Sequence, residues 1–136
     1  METIRTIYLG ELRTEAEHVK SGVKLITDAP PDNQGKGESF SPTDLLSASL
    51  GSCMLTIMGI AARTHQINMD GVSMKITKIM ASNPRRVSEV VVEFDMKDHV
   101  YTDKEKAILE NAAHTCPVAL SLHPDLKQTV SFKFAG

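Results

Sequence analysis

With 136 residues and a formal net charge of −2, the chain has room for one domain, residues 1–136, and carries no basic footprint for nucleic acid. Its two cysteines, Cys53 and Cys116, are too few and too widely spaced for the disulfide framework of a small secreted domain, so a reducing, cytoplasmic setting is expected. Charges at Glu2, Arg5, Glu11 and Arg13 interrupt the first eighteen residues, which leaves no apolar signal-peptide core there.

In chain order, TIRTIYLG (residues 3–10), AEHV (16–19) and VKLITDA (23–29) read as strands, with Lys20-Ser21-Gly22 as the hairpin between the last two. The loop PPDNQGKGESFS (30–41) follows. Its prolines and glycines argue against regular structure, and its length suits either a substrate rim or a plain connector. Ser41 as cap, Pro42 at the first helical position and Asp44 three residues after the cap predict a helix from Pro42 to about His65. Its charge-free stretch, Leu45 to Ala62, is long enough for a membrane span, but hydroxyl residues, two glycines and the lack of an aromatic belt point to the central helix of a globular core instead. No membrane is expected as a partner.

GVSMKITKIMAS and RVSEVVVEFDM alternate with period two and flank a turn at Asn83-Pro84, predicting an antiparallel hairpin; the adjacent Arg85-Arg86 reads as a solvated turn. Thr102-Asp103-Lys104-Glu105 is a capping box opening a second helix with Ile108, Leu109, Ala112 and Ala113 on one face, a face that Cys116 continues. Pro117 ends that helix and can start a short turn, PVALSL, before KQTVSFKF forms a last strand. The order is β-β-β-α-β-β-α-β, an α+β arrangement. A helix apolar all round is more than one small sheet can cover, so a homodimer with helices in the shared interior is expected.

Two thiols make dithiol redox chemistry the first hypothesis. Local physics points first to Cys116, because the N-terminus of the turn after Pro117 would depress its pKa and His114 is near in sequence. Cys53 lies mid-helix in an apolar run, where a buried structural cysteine is the plain reading. His114, Cys116 and His123 match no common zinc spacing and lack a fourth ligand, so neither a metal nor another cofactor is expected. Met54 and Met58, beside Cys53, read as core filler.

The run SPTDLLSASLGSCMLTIMGIAA, with AAHTCPVALSLHP far downstream, resembles the OsmC/Ohr family of osmotically inducible and organic hydroperoxide resistance proteins, over nearly the whole chain. The resemblance implies an intertwined α+β homodimer with two sites at the subunit interface. It implies that Cys53 attacks a peroxide and becomes a sulfenic acid, and that Cys116 condenses with it to a disulfide which a cellular dithiol reduces. Sulfenic acid and disulfide are the reversible rungs of thiol oxidation, and an apolar pocket would favour organic hydroperoxides as substrate.

One departure stands out. The family's peroxidases carry a glutamate after the proline of the helix start, paired with an arginine that helps ionise the thiol; here Thr43 holds that position. Asp44 is about half a turn out of phase with Cys53 and reads as a capping carboxylate. Glu38 is the candidate replacement charge, and Arg13, with Arg5 second, the candidate cation. The function expected is a thiol peroxidase acting on organic hydroperoxides. The alternative is a non-catalytic module of the same fold that binds a small ligand or senses redox state.

Overall fold

The computed structural model describes residues 1–135, and the chain divides into two compact units, Met1–Leu46 and the remainder from Ser47. In the first unit β1 (Ile4–Gly10), β2 (Arg13–His18) and β3 (Lys24–Asp28) form an antiparallel sheet in that order. The expected hairpin at Lys20-Ser21-Gly22 is present, closed by the bond from His18 N–H to Val23 O (2.8 Å) with Gly22 at φ 76°. β2 starts three residues earlier than the alternation suggested. The β1–β2 turn is made by Glu11 and Leu12, both in the left-handed region at φ 56° and 61°, where Asn-Gly is the usual signal.

The loop after β3 is not wholly irregular, as the sequence had suggested. Pro31–Asn33 form a 3-10 turn, since proline presets the backbone angle of a first helical position. The loop then folds back on the end of β3: Gly37 N–H donates to Ala29 O (3.2 Å), and a side chain at Gly35 would lie 1.7 Å from the same oxygen.

Helix α1 spans Pro42–His65 as expected, so the division between the units falls within it. Its cap is reciprocal: Asp44 N–H donates to Ser41 Oγ and Ser41 N–H to the Asp44 carboxylate, each at 3.0 Å. In the second unit β4 (Ser73–Ala81) and β5 (Arg86–Asp95) form the expected antiparallel hairpin, and β6 (Lys127–Lys133) adds to β5 in parallel, leaving β5 central. Helix α2 (Asp103–His114) carries the capping box, with Glu105 N–H on Thr102 Oγ1 (3.1 Å) and Thr102 N–H on the Glu105 carboxylate (2.9 Å). It stops before Cys116. A separate short helix, α3 (Pro117–Ser121), follows with Cys116 as its cap. Proline bars the residue before it from helical angles, which accounts for the break.

The core of the second unit joins Leu50, Met54 and Met58 of α1 to Val90, Val92 and Phe94 of β5 and Leu109 of α2. Full burial of each such side chain contributes about 1.5–3 kcal/mol. Gly51 allows α1 to approach β4 closely, since a β-carbon there would lie 2.5 Å from Ile76 Cδ1. By length and a hydropathy of 1.8, α1 could cross a membrane, with 33% of that stretch buried. The buried residues form one stripe, Ser47, Leu50, Gly51, Met54, Met58 and Ala62, so the helix packs as a core helix along one face. The chain itself leaves the opposite face open.

Candidate dithiol site

Cys53 lies on the flank of the buried stripe of α1 and is half-buried, while Cys116 is fully buried. Both are free thiols. Although far apart in sequence, the two thiols are neighbours, Cys53 being close enough to contribute to the raised pKa of Cys116. Helix α1 brings one sulfur, and the break between α2 and α3 brings the other.

Backbone geometry fixes Cys116. As cap of α3 it is extended (φ −68°, ψ 148°), which turns its sulfur toward the first turn, where Ala119 N–H donates to Sγ at 3.3 Å and Val118 N–H also faces it. These amides favour a thiolate, as the sequence argument held. Burial outweighs them and, with the neighbouring Cys53, pushes the Cys116 thiol above its ordinary pKa. The expectation of a depressed Cys116 pKa is therefore corrected: the site holds Cys116 as a protonated, dry thiol.

The first unit contains an ion-pair cluster. Arg13 grips the fully buried Asp28 with two parallel bonds, Nε to Oδ1 at 2.8 Å and Nη2 to Oδ2 at 2.9 Å. Nη2 also reaches Glu38 Oε1 at 3.2 Å, and Glu38 N–H donates to Asp28 Oδ2 at 3.1 Å. The Arg13 guanidinium holds the Asp28 carboxyl below the usual carboxylate range despite burial. Arg13 and Glu38, the two supporting candidates, are thus brought together, but the principal partner is Asp28. Arg5 instead pairs with exposed Glu2. Thr43 lies in the cap, its Oγ1 3.2 Å from Ser41 Oγ. The histidines serve elsewhere: His114 packs edge-on to Phe132, and His123 Nδ1 accepts Asp125 N–H (3.0 Å).

Asp28 was missed from sequence, yet a signal existed. A hairpin turning at Lys20-Ser21 places Arg13 opposite Asp28 in register. Two surface grooves, of about 230 Å³ beside Lys75, Glu93 and Lys133 and about 160 Å³ beside Arg5 and Glu15, are lined mostly by charged and hydroxyl residues, with no cysteine in either lining.

Two three-stranded sheets with a long helix make the chain an α+β protein, and its two free thiols, half-buried Cys53 and buried Cys116, are neighbours within it. The family model for OsmC-like proteins matches residues 35–131, and the chain belongs to that family. A crystal structure from Psychrobacter arcticus 273-4, described as a candidate osmotic stress induced and detoxification response protein, is 53% identical over 98% of this chain and 96% of its own, with a TM-score of 0.93. An organic hydroperoxide resistance protein OsmC from Legionella pneumophila shares the fold at 18% identity, covering 98% of each chain with a TM-score of 0.76. So does an organic hydroperoxide resistance protein from Elizabethkingia anophelis, at 13% identity over 98% of this chain and 97% of its own, with a TM-score of 0.67. Among curated proteins, none matches.

Proposed function

We propose that the chain is a cytoplasmic, homodimeric thiol peroxidase that reduces organic hydroperoxides, with Cys53 as the attacking thiol and Cys116 as the resolving one. The observation that carries this reading is a half-buried Cys53 neighbouring a fully buried Cys116, both free thiols. The names of the Legionella and Elizabethkingia structures support the substrate class.

The chemistry follows from the asymmetry of the pair. The Cys53 thiolate attacks the terminal oxygen of ROOH; the O–O bond breaks, the oxygen stays on sulfur as a sulfenic acid, and RO⁻ leaves as the alcohol after taking a proton. Cys116 sulfur then attacks the Cys53 sulfur, forming the S–S bond while hydroxide leaves as water with the thiol proton. A dithiol reductant reopens the disulfide by exchange and is itself oxidised to a disulfide. Because Cys116 is dry and protonated, it is spared direct oxidation and reacts only with a neighbour already activated. Arg13 and Glu38 remain the candidate supporting charges of this reading, held together with Asp28 within the first unit.

The open outer face of α1, with Ile60 exposed at 57%, and exposed Ile4, Ile7 and Tyr8 on β1 support a second copy as cover. That copy would also supply the apolar wall that an alkyl hydroperoxide needs. Steady-state consumption of cumene hydroperoxide with a dithiol reductant tests the function. Continued turnover supports the peroxidase, whereas uptake of one equivalent without turnover favours the redox-sensing alternative.

A further inference from the structure

In β6 the residues opposite the buried row Val90, Val92 and Phe94 of β5 are Gln128, Val130 and Phe132. All three are half-buried, and two of them are apolar, Phe132 stacking on Phe94 at 5.0 Å. Gln128 breaks the pattern: a polar amide stands where the row calls for an apolar side chain, and such a group costs stability unless it is hydrogen-bonded. It is bonded, since Nε2 donates to Ala119 O at 3.0 Å.

Ala119 lies in the middle of α3, and its N–H is the one that donates to Cys116 Sγ at 3.3 Å. Helix α3 has five residues, of which Val118 and Ala119 are half-buried and none fully buried, so its length and apolar packing hold it only weakly. Its remaining side-chain bond, from Ser121 Oγ to Pro117 O (2.7 Å), is internal. The bond from Gln128 instead ties α3 to the sheet. We propose that Gln128 is a positioning residue for the resolving thiol, acting through Ala119 to keep α3, and with it Cys116 Sγ, in line with Cys53. This rests on the peroxidase reading for its consequence, not for its geometry. Disulfide closure requires two sulfurs to meet at bonding distance with a narrow dihedral preference, so a wandering α3 would lower the fraction of time in which Cys116 can react.

The test is a single-turnover experiment on the reduced protein with one equivalent of cumene hydroperoxide, comparing wild type, Gln128→Met and Gln128→Glu. Sulfenic acid is trapped with dimedone and disulfide is counted by mass spectrometry, after circular dichroism has confirmed folding. Oxidation of Cys53 is expected to keep its wild-type rate within about twofold, while closure slows about fivefold in Gln128→Met, the factor matching loss of one neutral hydrogen bond. Gln128→Glu is expected to be slower still, because a carboxylate would face the Ala119 carbonyl. Unchanged closure in both variants, or an equal fall in both steps, overturns the proposal. A parallel arm uses diamide, which takes up the two electrons and two protons of the thiol pair without any peroxide. Slower closure there supports the positioning role even if the wild type ignores hydroperoxide, whereas equal diamide closure in all three proteins overturns it.

Discussion

Replacing Cys116 separates its packing from its chemistry. The side chain is fully buried, and its sulfur accepts Ala119 N–H as the cap of α3. In Cys116→Ala the cap acceptor is lost, at about 1 kcal/mol, and a buried group the size of a methylene is removed, at about 0.8 kcal/mol before any cavity contribution. The sum, about 2 kcal/mol, should appear in urea unfolding under reducing conditions at fixed protein concentration. Cys116→Ser restores a capping oxygen and should recover roughly half of that loss. The pH dependence gives a second reading of the same site. Because the thiol's pKa is raised in the folded state, its proton is held more tightly there than in the unfolded chain. Its stabilising contribution is therefore complete below the unfolded value of about 8.5 and is lost as pH rises through the folded value. Wild type should lose stability on this alkaline limb, and both variants should lose less. Equal stability of Cys116→Ala and wild type within about 0.5 kcal/mol, below the smallest cost expected of a lost cap, together with identical alkaline limbs, would refute a buried, capping Cys116.

Alkylation of the native, reduced protein at neutral pH should label half-exposed Cys53 first and leave Cys116 unlabelled until denaturant is added, as peptide mass spectrometry can show. Asp28 is an acid-side counterpart: its folded pKa is lowered by Arg13, so its contribution is present above the unfolded value of about 3.9 and lost as pH falls through the folded one. Asp28→Asn should accordingly be less stable at neutral pH and show a flatter acid limb, measured by thermal melts between pH 7 and the acid transition. Sedimentation at micromolar concentration should find a dimer that dissociates only on unfolding, and a stable folded monomer would remove the proposed cover for α1.

Much of this architecture is legible in the sequence because its signals are local. Ser41-Pro42 with Asp44, and Thr102 with Glu105, mark two helix starts by reciprocal bonds that the structure contains. Alternation around Asn83-Pro84 gives the β4–β5 hairpin for the same reason. The misses have a different character. Glu11 and Leu12 adopt left-handed angles without glycine or asparagine, so β2 began too late and the Arg13–Asp28 pair was hidden with it. The pKa of Cys116 depended on the balance between nearby amides and burial, and burial is set by residues distant in the chain. Gln128 was unremarkable as one polar residue in KQTVSFKF until its parallel pairing with β5 placed it in a core-facing row. The nearness of Cys53 and Cys116 was implied by family resemblance alone, since no local pattern connects α1 to the α2–α3 break.

The assignment of roles to the two thiols is the centre of the account, and it is tested most directly by reacting Cys53→Ser and Cys116→Ser separately with one equivalent of cumene hydroperoxide. Mass spectrometry with dimedone trapping then reads the product on each chain. Cys53→Ser should leave Cys116 unoxidised, whereas Cys116→Ser should accumulate a trappable sulfenic acid at Cys53 and form no intramolecular disulfide. Sulfenic acid appearing instead on Cys116 of the Cys53→Ser protein, with Cys53 inert in the other variant, would contradict it.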